Sequence, residues 1–147
     1  MCSSSSLPST GSHRWSVPNA TCDCFWPLEW AEQFGVLLLA PDSRGWTWDL
    51  CLSGEFGPDV YFVNHALEQT FERYSVDEKC IALAGFSDGA TYAVSLGLSN
   101  GDLISHVMAF SPGYASPAYY QGFPKFFITH GIQDQMLLIH KCSRPLV

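Results

Sequence analysis

The sequence predicts an α/β protein with a mostly parallel sheet and helices on both faces. Short, continuous apolar runs bounded by Gly or Pro are typical of strands that are buried on both faces. Helical patterns alternate with these runs through the middle of the chain, which favours parallel strands joined by crossover helices. The length of 147 residues fits one domain, and the 47% apolar content is enough to form its core.

The first residues differ in composition from the rest of the chain. Residues 1–26 are dominated at their start by Ser, Pro, Gly and Thr and show no regular periodicity, so they are interpreted as an irregular leader. Residues 27–147 are expected to form the domain. It begins with a short helix over Leu28–Phe34 that stops at Gly35. The apolar run 36–40 (VLLLA) is predicted to be the first buried strand.

Helix and strand alternate through the middle of the chain. Residues 41–58 form a loop rich in Asp, Gly and Trp. Asp59 can then cap a helix that extends to Tyr74, with apolar residues at steps of three and four. A buried strand over residues 80–84 and a helix over residues 90–98 come next.

Two further strands complete the predicted sheet. They cover His106–Phe110 and residues 126–129, and a helix is expected from about Leu137. With these, the sequence contains four strand signals separated by helices or turns, which is the order of a parallel α/β sheet.

The composition excludes several classes of function. Seven Lys+Arg against fourteen Asp+Glu give a net charge of -7, which is not the footprint of a nucleic-acid binder or of a protein held on anionic lipid. No apolar run is long enough for a membrane span. The number of cysteines, six, allows a disulfide framework, but the apolar content favours a reduced, cytoplasmic compartment. No cofactor or metal is predicted.

The clearest motif is G-x-S-x-G at residues 85–89 (GFSDG). A buried strand enters it and a helix leaves it, which is the context of a nucleophile elbow. Gly85 and Gly89 would keep side chains away from the strained turn. Ser87 is then the candidate nucleophile, and the backbone N–H of Asp88 the candidate oxyanion donor. The alternative is an exposed serine in an ordinary strand–turn–helix connection.

Asp134 is the candidate acid of a catalytic triad. It follows the strand at residues 126–129, and in this fold the chain order is Ser, then Asp or Glu, then His. The alternative is a solvated loop carboxylate or a cap for the helix from Leu137.

Four motifs together resemble the phospholipase/carboxylesterase family of α/β hydrolases, which includes acyl-protein thioesterase-like enzymes. They are residues 36–42 (VLLLAPD), 85–89 (GFSDG), 109–113 (AFSPG) and 128–131 (ITHG) with Asp134. The resemblance implies a partial α/β-hydrolase fold. It also implies a serine hydrolase of small carboxylic esters or thioesters, with Ser87 and Asp134 in the triad and no cofactor.

The family's HG-x-G oxyanion loop and its catalytic histidine have no counterpart in this sequence. His130 precedes the acid and is expected to order the acid loop through hydrogen bonds, while His140 falls in the helix after it. The resemblance therefore implies a domain truncated at both ends, as in a splice form or an incomplete gene model. Sheet edges left exposed by missing strands would favour self-association.

Three interpretations of function follow. The first is an ester or thioester hydrolase by ancestry, with an incomplete site. The alternative is a catalytically inactive truncated form that binds a partner or an acyl ligand. A flavodoxin-like binding domain is a third interpretation, but residues 41–45 make a poor phosphate-binding loop.

Substrate choice is open at this stage. Four aromatic residues could line an apolar acyl pocket near the elbow, and they could equally cover the core. They are Trp46, Trp48, Tyr119 and Tyr120.

Overall fold

The computed structural model describes residues 28–147, so the predicted leader at residues 1–26 lies outside the described residues. The chain divides into two units, residues 1–42 and residues 43–147. In the first unit, helix α1 covers Leu28–Phe34, as predicted, and ends at Gly35 with a positive φ of 64°.

The strand predicted for residues 36–40 is wrong. These residues are irregular and mostly exposed; Val36 donates its N–H to Ala31 O at 2.8 Å, which closes the end of α1 instead of joining a ladder. An apolar run can supply buried side chains, but a strand also needs a neighbour that accepts its backbone hydrogen bonds.

The second unit contains three strands and three α-helices. They follow the chain order helix, helix, strand, helix, strand, strand. The elements are α2 (Asp49–Ser53), α3 (Pro58–Arg73), β1 (Ala82–Phe86), α4 (Asp88–Ser99), β2 (His106–Phe110) and β3 (Lys125–Thr129), followed by a 3₁₀ helix (Arg144–Leu146).

The three strands form one parallel sheet in the order β1-β2-β3. Strand β1 begins two residues later than predicted because its ladder with β2 starts at Ala82 and continues to Phe86. Cys80, predicted to be a buried strand residue, is therefore exposed ahead of the sheet. The mixed α/β class with a parallel sheet is confirmed.

Helix α4 packs against one face of β1 and β2. Its close approach depends on Gly97, where a Cβ would collide with the Val107 side chain. Val107 and Ala109 are fully buried under α4, and Leu83 and Ile128 extend the same face at the sides.

Helices on both faces were predicted, but within residues 43–147 they cover only one. On the opposite face, Phe86 and Phe127 are each more than half exposed. The connection between β2 and β3 forms no helix, so it supplies no second helical layer. Its residues instead run along α4, on the side that is already covered.

A row of hydroxyls on α4 holds this connection in place. Thr91, Ser95 and Ser99 lie four residues apart and are all buried. Each accepts one backbone N–H, from Gly113 at 2.9 Å, Ser116 at 2.9 Å and Ala118 at 3.1 Å respectively. The spacing of four places all three hydroxyls on one side of the helix.

Helix α3 confirms the predicted amphipathic helix, but Asp59 is not its cap. Pro58 opens the helix, where its missing N–H costs nothing. The carboxylate of Asp59 is buried and accepts N–H groups from Arg44 and Asp49 instead. Sequence reasoning also missed α2, because it is only five residues long and lies inside the predicted loop.

The helix expected from Leu137 is not formed. Residues 135–143 make turns that lead into the short 3₁₀ helix Arg144–Leu146. Among residues 28–147, no helix is both long and apolar enough to cross a bilayer.

Candidate functional site

Ser87 lies on a sharp turn between β1 and α4, with φ 56° and ψ -116°. A non-glycine residue in this region of backbone space is strained, and such strain is concentrated at functional sites. The turn is tight because β1 runs directly into the helix: a Cβ on Gly85 would collide with the Gly89 carbonyl and lie 2.7 Å from Ala90 N. Glycine is therefore required at position 85.

Backbone hydrogen bonds fix Ser87 in this conformation and leave its side chain available. Its N–H is donated to Phe110 O at 2.9 Å, and its carbonyl accepts the Thr91 N–H at 3.0 Å and the Thr91 hydroxyl at 3.1 Å. Ser87 is half-buried, and its Oγ forms no hydrogen bond within residues 28–147. The backbone therefore fixes the position of the hydroxyl, and a serine nucleophile needs an adjacent base in addition.

Asp88 is the first residue of α4, so its backbone N–H has no acceptor within the helix. This N–H is where an oxyanion would bind. The Asp88 carboxylate accepts hydrogen bonds from the Thr47 hydroxyl and from the Gly89 N–H, the latter at 2.9 Å. A negative charge beside that N–H opposes a developing oxyanion and reduces the benefit of the helix N-terminus.

Asp134 lies after β3, and its two carboxylate oxygens have different surroundings. Oδ1 accepts the N–H groups of Met136 and Leu137, each at 2.9 Å, so it caps the turn that follows. Oδ2 lies 3.6 Å from His130 Nε2. The hydrogen bond from Leu137 lowers the pKa of Asp134 below its usual value. Asp134 is thus ionised at neutral pH, and this cap is lost only as the pH falls through that lowered pKa.

The imidazole of His130 is engaged at both nitrogens. Nε2 lies 2.5 Å from Leu137 O and Nδ1 lies 2.5 Å from Ser143 Oγ, while only 1% of the side chain is exposed. A carbonyl can only accept, so Nε2 carries a proton, and Ser143 Oγ is the hydrogen-bond partner of Nδ1. His130 therefore holds the loop of Asp134 to the C-terminal segment, as expected from its position, and is not directed at Ser87.

The other described histidines lie elsewhere. His106 is the first residue of β2, so it lies at the amino ends of the strands, whereas Ser87 follows the carboxyl end of β1. Its Nδ1 lies 2.9 Å from Ser105 Oγ. His65 is exposed on α3, and His140 is exposed in the turns after Asp134, not in a helix. Within residues 28–147, no imidazole is hydrogen-bonded to Ser87; His13 lies outside this range.

Of the four predicted pocket aromatics, Trp48 has a contact at the elbow. Its Nε1 is 3.5 Å from the position that a Cβ on Gly89 would take, and its ring stacks on Tyr92 with centroids 4.3 Å apart. Trp48 also packs against the core cluster around Leu50. Trp46, two residues earlier, is 86% exposed. Trp48 thus contacts the elbow and also covers the core.

Tyr119 and Tyr120, the other two predicted pocket residues, come after the connection has reached the C-terminal end of α4. They follow Ala118, whose N–H is bound by Ser99 at the far end of α4. A helix rises about 1.5 Å per residue, so this end lies roughly 17 Å from Ser87. Both tyrosines are more than half exposed there. The connection between β2 and β3 runs from the N-terminal to the C-terminal end of α4, so its later residues lie far from the N-terminus of that helix.

Sequence reasoning missed several residues around Ser87. Cys51 donates its thiol to Asp88 O at 3.7 Å, and burial, reinforced by the Asp88 charge, raises the pKa of that thiol. Tyr114 donates its hydroxyl to Leu50 O at 3.1 Å. Thr91 could have been found, because Thr91, Ser95 and Ser99 repeat at a spacing of four; the other contacts join residues far apart in sequence.

Thr91→Val should lower the free energy of unfolding by about 1–3 kcal/mol, because the Gly113 N–H loses its acceptor in a buried position. Thr91→Ser keeps the hydroxyl and removes only a methyl group, so it should cost about 1 kcal/mol or less. Urea denaturation of the two variants measures the difference. A Thr91→Val loss no larger than the Thr91→Ser loss would mean that the hydroxyl stabilises this contact no more than the methyl group does.

No protein-family model and no curated protein matches this sequence. No three His, Cys, Asp or Glu side chains of the described range are grouped so that they could hold a metal ion. The chemistry assigned to the site therefore depends on the geometry of its own residues.

Proposed function

We propose that the chain is a carboxylic ester or thioester hydrolase by ancestry, of the phospholipase/carboxylesterase type of α/β hydrolase, with an incomplete active site. The observation that carries the proposal is the conformation of Ser87, φ 56° and ψ -116°, at the end of a parallel strand and before a helix. The carboxyl edge of a parallel sheet is where α/β proteins place their ligands. The G-x-S-x-G motif supports the same assignment.

In this proposal Ser87 Oγ attacks the acyl carbon of a small ester or thioester. The carbonyl oxygen becomes an oxyanion at the Asp88 N–H, and the bond to the alcohol or thiol then breaks to leave an acyl-serine. The serine proton passes to solvent and on to the leaving group, and water later cleaves the acyl-serine. Because no described imidazole contacts Ser87, proton transfer is slow and turnover is expected to be weak.

A second candidate function is binding without turnover, and the engagement of His130 favours it. One nitrogen of that ring is bound in the loop of Asp134 and the other by Ser143 of the C-terminal segment, so Ser87 has no base from this source. The negative charge of the Asp88 carboxylate beside the oxyanion position also favours binding without turnover. The chain would then bind an ester, thioester or acyl ligand at the elbow without cleaving it.

Self-association is part of the proposal for partners. Within residues 43–147 the sheet has three strands, and β1 and β3 are its two edges. Unpaired edge strands are templates for pairing with another chain. Cytoplasmic location, inferred from composition and cysteines, is likewise a proposal.

Labelling with a fluorophosphonate tests the nucleophile directly. Wild-type chain should be modified at Ser87 with one probe per chain, and Ser87→Ala should abolish labelling. Ser53→Ala, an exposed serine on α2, is the matched control and should label like wild type. Mass spectrometry of the modified peptide gives the position.

Hydrolysis of a short p-nitrophenyl ester separates the two candidate functions. Slow turnover that Ser87→Ala abolishes supports the hydrolase. Labelling of Ser87 without turnover supports the binding protein. If the folded wild-type chain is not labelled at Ser87, the residue is not activated and the hydrolase proposal is wrong.

A further inference from the structure

Ser111 has a positive φ close to that of Ser87, one strand away. It follows β2 as Ser87 follows β1, and its φ is 53°. Ser87 donates its N–H to the last residue of β2, and Ser111 donates its N–H to Thr129 O, the last residue of β3, at 2.8 Å. These two serines are the only non-glycine residues of the described range with a positive φ.

The conformation of Ser111 is unfavourable for its residue type. A positive φ costs an L-residue on the order of 1–2 kcal/mol, and glycine would avoid that cost. Ser111 also precedes Pro112, and a residue before proline prefers extended backbone. Pro112 itself is fully buried, so the turn cannot relax outward. A serine in place of glycine here indicates that its side chain has a use.

The surrounding structure holds Ser111 as firmly as Ser87. Gly113, two residues on, donates its N–H to the Thr91 hydroxyl, and the same hydroxyl is donated to Ser87 O. One threonine therefore ties the turn after β2 to the elbow. Strained residues persist when their surroundings determine them in this way, and they are concentrated at active sites and ligand clamps.

The two serines are neighbours at the carboxyl edge of the sheet. Phe86 pairs with Phe110 in the ladder, so the residues that follow them lie on adjacent strands, which are about 4.8 Å apart. Both are half-buried. Like Ser87, Ser111 has no hydrogen bond at its Oγ within the part of the chain that the structure describes. Two serines with available hydroxyls thus end adjacent strands at the edge where a ligand would bind.

We propose that Ser111 is a second substrate-contacting residue of the Ser87 site, whose hydroxyl donates a hydrogen bond to an ester oxygen while Ser87 attacks the acyl carbon. This inference rests on the proposed hydrolase ancestry and adds a contact residue to it. Asp88 offers one backbone donor there, and Ser111 supplies a side-chain donor from the neighbouring strand. The contact is made to the reacting group, so it affects the rate of acylation more than the initial binding.

The test compares Ser111→Gly and Ser111→Ala with wild type in fluorophosphonate labelling and in thermal unfolding. The phosphoryl oxygen of the probe stands in for the ester oxygen. Both variants should label Ser87 about tenfold more slowly, through the maximal rate of inactivation rather than the half-saturating probe concentration. Ser111→Gly should also raise Tm by roughly 2–4 °C, because it relieves the strain.

Greater stability combined with slower labelling is the result that a structural role would not produce. If Ser111→Gly is more stable and labels at the wild-type rate, Ser111 does not contact the reacting group and this inference is wrong, while Ser87 remains the nucleophile. If wild type itself is not labelled at Ser87, the proposed function fails and this inference fails with it. Should Ser111→Gly not fold, the labelling rate of Ser111→Ala decides alone.

Discussion

Gly85→Ala should destabilise the protein by about 3 kcal/mol, the upper part of the range for overpacking a tight contact. The new Cβ would collide with the Gly89 carbonyl and lie 2.7 Å from Ala90 N, and all of these atoms belong to the backbone of the first turn of α4. A side chain could rotate away from such a contact, but a helix backbone must move as a unit. Either β1 or α4 has to shift, and with it the elbow at Ser87.

Gly89→Ala is the matched control, because it makes the same chemical change at the other glycine of the motif. A Cβ at Gly89 would meet only Trp48 Nε1, at an ordinary 3.5 Å, and Gly89 lies inside α4. Alanine is favoured over glycine in a helix by about 0.5–1 kcal/mol. Gly89→Ala should thus be neutral or slightly stabilising in chemical denaturation. If both variants lose the same stability, close backbone approach is not why glycine is needed at position 85.

The contrast between these two glycines shows how much of the site could be predicted. A strand, a tight turn and a helix at residues 82–99 are encoded locally, in an apolar run, G-x-S-x-G and an apolar helix, so the elbow was found. The sequence motif treats Gly85 and Gly89 as equivalent, and only the packing of β1 against α4 separates them. Ser111 could not be singled out from the sequence for a similar reason, since its backbone angle is set by its own hydrogen bond to Thr129 and by that of Gly113 to Thr91.

Other features of the structure depend on partners that a local pattern does not specify. Residues 36–40 have the composition of a buried strand, but the ladder that would bury them is absent from their hydrogen bonding. Tyr119 and Tyr120 are distant from the elbow because the hydroxyls of α4 fix the direction of the connection before them. For His130, chain order indicated a role in the acid loop, but Ser143 as its partner could not be predicted from the sequence.

Asp59→Ala should lower the free energy of unfolding by about 3 kcal/mol. The carboxylate is 1% exposed and accepts the N–H groups of Arg44 at 2.6 Å and Asp49 at 2.7 Å. Removing it leaves two backbone donors without an acceptor, and each buried, unsatisfied donor costs about 1–3 kcal/mol. The loop that carries Thr47 and Trp48 lies between those two donors, so its attachment to the elbow is expected to loosen as well.

Two comparisons identify the cause of that loss, which urea denaturation measures. Glu72→Ala removes an exposed carboxylate from the same helix and should change stability by less than about 0.5 kcal/mol. Asp59→Asn keeps one acceptor oxygen and removes the charge, so an intermediate loss is expected if the hydrogen bonds dominate. The Asp49 carboxylate lies close by, since its Oδ2 accepts the Asp59 N–H at 2.8 Å. An Asp59→Asn variant more stable than wild type would therefore mean that repulsion between the two carboxylates outweighs the hydrogen bonds.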